Sequence, residues 1–110
     1  MAGRTYEGAS GKNYSYVIFS AADLKNLPLQ AGNYIFAKAD GVAIFIEAAN
    51  SVRKSALESN FWDLARNIHG ASLVLIHVDP DLDERHRHAE KMDLIDAHHP
   101  PMNQRVNPPN

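Results

Sequence analysis

No cysteine occurs in these 110 residues. Disulfides and thiolate metal sites are therefore excluded, and the absence fits a reducing compartment. A surplus of one charge is also missing. The 11 Lys and Arg stand against 13 Asp and Glu, for a net charge of −2 with the six histidines neutral. A global basic field would advertise nucleic-acid binding; without one, such binding has to come from a local patch. Long hydrophobic runs are lacking as well. The longest, VAIFI (42–46) and LVLI (73–76), fall far short of a membrane span, and MAGRTYEGASGKNYSY at the start has no apolar stretch behind its charges. The expectation is a cytoplasmic protein with no membrane partner, of a size that holds one domain around one core. No internal repeat is visible.

What is present divides the chain into three parts. Residues 1–13, rich in Gly, Ser and charge, read as a flexible N-terminal arm, and QRVNPPN (104–110) reads as a flexible tail. Between them lies the domain, 14–103. YSYVIF (14–19) is aromatic and β-branched, which predicts a strand. Ser20 can cap a single helical turn that Pro28 stops. Two β-rich runs, 33–38 and 42–47, flank Ala39-Asp40-Gly41; Asp-Gly between apolar runs marks a hairpin, because glycine accepts the positive φ of the turn.

The period then changes. Val52 and Ala56, with Ser59, share a face of a helix over 50–59 capped by Asn50 or Ser51. Asn60 caps a second helix with Phe61, Leu64, Ala65 and Ile68 on one face, and Gly70 ends it. Trp62 reads as core. ASLVLIHV (71–78) predicts a central strand buried on both faces. A long helix follows over 79–99, with Asp79 as cap, Pro80 at its first position, Leu82, Ala89, Met92 and Ile95 along one face, and Pro100 and Pro101 as its stop. The fold class is α/β (α+β): a small, mostly antiparallel sheet of three to four strands flanked by helices.

In this order three segments resemble the GIY-YIG nuclease superfamily. GNYIF (32–36) looks like its first motif strand, FIEAANSVRKSAL (45–57) like its second motif strand and following helix, and DLIDAHHPPMN (93–103) like its closing helix and asparagine. The resemblance spans roughly residues 14–103. It implies DNA phosphodiester cleavage by two strand tyrosines, a helix arginine that stabilises phosphate charge, and a helix glutamate that holds one divalent metal, typically Mg²⁺. Carried over by position, the first tyrosine is Tyr34, which is present. The second falls on Phe45, which keeps the ring and loses the hydroxyl. The motif glycine falls on Glu47, the arginine on Ser55 and the metal glutamate on Lys91. A charged lysine has no lone pair and cannot ligate Mg²⁺.

The resemblance therefore implies a degenerate active site. The expected function is a non-catalytic nucleic-acid- or protein-binding module with no cofactor, with Arg53, Lys54 and Lys91 as the nucleic-acid-binding candidates. One alternative is an active Mg²⁺-dependent endonuclease with rearranged residues, in which a one-residue slip brings Glu90 to the metal and Arg53, two residues before Ser55, swings toward the phosphate. Another is a homo-oligomeric protein-interaction domain with no nucleic-acid role. The single residues also have plain structural readings. Tyr34 can pack with its hydroxyl on a neighbour. Arg53 and Lys54 can be solvated helix charge. His86 and Glu90, at i and i+4, are too few for a metal, and His86 belongs with His88, Arg85 and Arg87 to a solvated, pH-responsive face. Asn103 can tie a loop to backbone groups.

Overall fold

A computed structural model describes residues 2–58 and 60–103, with the side chain of Ala21 aside. The strands are β1 (Gly3–Glu7), β2 (Asn13–Ser20), β3 (Gly32–Ala37), β4 (Ala43–Ala49) and β5 (Leu73–His77). The helices are α1 (Val52–Glu58), α2 (Phe61–His69) and α3 (Glu84–His98), with 3-10 turns at Ala21–Asn26 and Pro101–Asn103. The five strands form one antiparallel sheet in the order β1-β2-β5-β3-β4. The architecture is α+β.

The sheet is wider than the three to four strands expected, because β1 lies inside the segment read as a flexible arm. Its five residues pair with β2 from Gly3↔Val17 to Glu7↔Asn13. Tyr6 is buried against the edge of the Tyr16 ring, and its hydroxyl donates to Gly41 O at 2.7 Å. The tail 104–110 and Ser59 lie outside the described residues.

The Asp40-Gly41 hairpin forms as expected. Gly41 takes φ 89°, and the Asp40 carboxylate accepts from Val42 N. β5 occupies the sheet centre with Val74, Leu75 and Ile76 buried. Register sorts the side chains onto two faces. One face carries Tyr16, Ile35, Ile46 and Leu75 beneath α3, where Leu94 joins them. The other carries Tyr34, Phe36, Phe45, Val74 and Ile76 beneath α1 and α2, with Val52, Ala56, Trp62 and Ala65.

Two helix faces differ from the pattern reading. On α2 the sheet takes Trp62 and Ala65, and Trp62 meets Phe36 edge-on at 5.0 Å. Phe61, Leu64 and Ile68 stay 43%, 41% and 68% exposed. The apolar arc of this helix is wider than the surface that covers it. Asn60 precedes the helix with αR torsions and makes no side-chain cap bond, whereas Gly70 ends it in the left-handed region as expected.

On α3 the start is later than expected. Asp79 folds back on Asp81 N and Leu82 N, which isolates Pro80 in a turn, and Asp83 caps the helix through His86 N at 2.9 Å. The buried residues are Glu90 and Leu94, and Met92 is exposed. A face that buries a carboxylate cannot be found by following apolar letters.

Candidate functional site

The end of β4 and the two helices beside it bring the sequence-derived residues together. Tyr34 lies on β3, opposite Glu47 of β4 in register, and both point to the α1 side of the sheet. Tyr34 is 1% exposed, and its hydroxyl shares a 2.9 Å hydrogen bond with Ser55 Oγ on α1. Burial pushes the phenol up to about 12, with Ser55 opposing and the Glu47 charge adding to the rise. The phenol is therefore neutral near pH 7 and can accept a proton only weakly. Phe45 is buried 6.3 Å from the Tyr34 ring, between Phe36 and Phe61.

Lys91 reaches from α3 to Glu47. Its Nζ donates to Glu47 Oε1 at 2.7 Å, and the same oxygen accepts from Ala48 N at 3.0 Å. The two residues that replace a glycine and a metal-binding glutamate in the resemblance therefore satisfy each other. Around them open two clefts that share Glu47, Ala48, Ala49 and Asn50. One, of about 470 Å³, is walled by Glu84, Arg85, Arg87, His88 and Lys91 of α3. The other, of about 390 Å³, is walled by Ser51, Lys54, Ser55 and Glu58. Lys54 is exposed at this second cleft. Arg53 is turned away, since its Nε donates to Leu27 O at 2.6 Å and straps α1 to the preceding loop. That loop also seeds the helix: Gln30 O and Pro28 O accept from Val52 N and Arg53 N, and Ser51 Oγ accepts from Lys54 N.

Glu90 sits elsewhere. It is 4% exposed, accepts from Tyr16 OH at 2.6 Å, and lies 2.8 Å from His77 Nδ1. It belongs to the α3 face of the sheet and does not face Tyr34. His86 bonds to Asp83 rather than joining Glu90. Among the described residues, no three His, Asp or Glu side chains are arranged to hold a metal. The donors at the position implied for Mg²⁺ do not fit one either: Lys91 would repel it, and Glu47 is already committed to Lys91 and Ala48 N.

Pattern reading missed the Tyr16–Glu90–His77 cluster and the Asn33 beside it, whose Nδ2 donates to Arg87 O and whose buried Oδ1 has no partner among the described residues. The available signal was the weak apolar pattern of α3 itself. The structural reading of Asn103 holds: its side chain accepts from Ile46 N at 2.8 Å and donates to Ile46 O at 2.9 Å, so it occupies the outer edge of β4 as a neighbouring strand would. Comparison with family models, curated proteins and solved structures finds no match to this chain.

Proposed function

We propose that this domain is a catalytically silent, GIY-YIG-like module that binds a nucleic-acid strand along the β4 clefts without cutting it. One observation carries the reading: the groups at the carried-over positions are spent on one another, Tyr34 on Ser55 and Lys91 on Glu47. Phosphodiester hydrolysis needs a base for water and positive charge at the developing oxyanion. A neutral buried phenol and a lysine neutralised by a glutamate provide neither. The order hairpin, two helices, strand, long helix supports the resemblance. Arg85, His88 and Lys54, all exposed at the cleft walls, supply the local patch that net charge alone does not.

The test incubates pure protein with supercoiled plasmid in Mg²⁺ or Mn²⁺ and, in parallel, titrates labelled oligonucleotides by anisotropy. No nicking is expected, together with binding that weakens steeply with salt. Nicking that disappears in Tyr34→Phe would overturn the reading in favour of an active endonuclease.

A second reading, a self-associating protein-interaction domain, is favoured by a different observation. Leu57 on α1 and Phe61, Leu64 and Ile68 on α2 are exposed apolar side chains, and patches of such residues mark contact surfaces. Sedimentation equilibrium of wild type against Ile68→Asp checks it. A concentration-dependent dimer abolished by the substitution is the supporting result, with folding stability unchanged to within about 0.5 kcal/mol.

A further inference from the structure

We infer that the Glu47 carboxylate is an internal stand-in for a ligand phosphate: its oxygen fills an anion seat made by Lys91 Nζ and Ala48 N, and a phosphate group binds there by displacing it. This rests on the binding reading above and specifies its ligand contact. The seat is defined by geometry. One carboxylate oxygen, Oε1, takes both the 2.7 Å bond from the ammonium and the 3.0 Å bond from the backbone amide. A cation and a backbone N–H converging on one oxygen is an arrangement that serves phosphate oxygens equally well.

The outer edge of β4 shows that this occupancy is of a different kind from its neighbour. Ile46 is closed by Asn103 through two reciprocal bonds, N–H to Oδ1 and Nδ2 to O. Ala48 N, two residues on, is closed by the side chain of the residue before it. The Glu47 and Lys91 side chains are 29% and 20% exposed, so both reach solvent at the cleft. Directly beside them is the cleft of about 470 Å³, wide enough for a phosphate and its ester substituents. With Glu47 swung out, the cleft wall presents Lys91, Arg85 and Arg87 against Glu84 alone.

Glutamate at this position therefore sets the affinity of the site, through competition with the ligand. Removing its charge frees the seat and leaves Lys91 unpaired. Glu47→Gln keeps the shape and is the informative variant; thermal unfolding checks that it folds. Binding of a fluorescein-labelled single-stranded oligonucleotide is measured by anisotropy for wild type, E47Q, E84Q and E47Q/K91M, with inorganic phosphate as competitor. Glu84→Gln removes an equal charge from the same cleft and controls for general electrostatics.

The expected result is that E47Q tightens binding about tenfold, equivalent to about 1.4 kcal/mol, that E84Q changes it about twofold or less, and that the gain vanishes in E47Q/K91M. Phosphate should compete better against E47Q than against wild type. If E47Q and E84Q gain equally, or the gain survives loss of Lys91, the stand-in is refuted while strand binding stands. If no variant binds the oligonucleotide and E47Q alone binds inorganic phosphate, the seat is upheld for a small phosphate ligand and the strand-binding function falls. If neither probe binds any variant, both fall.

Discussion

Two tyrosine hydroxyls are buried on opposite faces of one sheet, and the two faces satisfy them by different means. Beneath α1 and α2, Tyr34 sits among Phe36, Phe45 and Trp62, and a serine suffices as its partner. Beneath α3, Tyr16 donates to a buried carboxylate that also holds His77. The first is a neutral hydrogen bond in an aromatic bed. The second is an ionic network whose charge depends on pH. Burial raises both phenols; the Glu90 charge and its hydrogen bond add to the rise at Tyr16, and the Glu47 charge adds to it at Tyr34. A buried charge is costly unless every partner is in place, whereas a buried hydroxyl pair can be removed as a pair at little cost.

The largest effect is expected from Glu90→Ala. It leaves Tyr16 OH and His77 Nδ1 without an acceptor inside the α3 face, and should lower unfolding stability by about 3–5 kcal/mol, read as a fall in denaturant midpoint at constant slope. On the other face, Ser55→Ala strands only the Tyr34 hydroxyl and should cost about 1–2 kcal/mol. Adding Tyr34→Phe should recover most of that loss, so a double-mutant cycle reports a clear coupling. If the two faces lose the same amount, the distinction between ionic and neutral burial is mistaken.

The smallest effect is in pH. The bond to Glu90 raises the His77 pKa above its ordinary 6.5, against the opposing effect of burial. A group raised on folding contributes stability that is complete below the unfolded value and is lost as pH rises through the folded one. Stability should therefore decline as pH climbs past 6.5, and Glu90→Gln should flatten that decline. Tyr34→Phe should leave it intact, because the Tyr34 hydroxyl bonds to Ser55 on the other face of the sheet and not to His77 or Glu90. Thermal midpoints at a series of pH values between 6 and 8 make the check. A tenfold gain in proton affinity on folding would appear as a decline of about 1.4 kcal/mol.

Much of the aromatic face was legible in the sequence. Asp40-Gly41 marked the hairpin, the run from Leu73 to Ile76 marked the central strand, Val52 and Ala56 marked the packed side of α1, and Gly70 its neighbour's end. These are local signals, carried by turn chemistry and period. The α3 face was hidden because its decisive residue is an acid, and the partners of Glu90 lie 74 and 13 residues away in sequence. β1 was hidden for a related reason. Its five residues, GRTYE, carry no pattern of their own and become a strand only through pairing with β2 and the burial of Tyr6. At the candidate site Glu47 and Lys91 could each be singled out from the sequence, but not that these two residues, 44 apart, would find each other. Position-by-position reading takes the acid and the base one at a time; in space they pair.

The amide of Asn103 has a consequence for how the protein is made. It closes the β4 edge at Ile46, 57 residues earlier in the chain. During synthesis at about 5–20 residues per second, the hairpin emerges from the ribosome roughly 3–11 s before the residue that covers its flank. For that interval the N–H and C=O of Ile46 lack their native partner. The turn at Pro101–Asn103 thus covers Ile46 only after the rest of the sheet has been made.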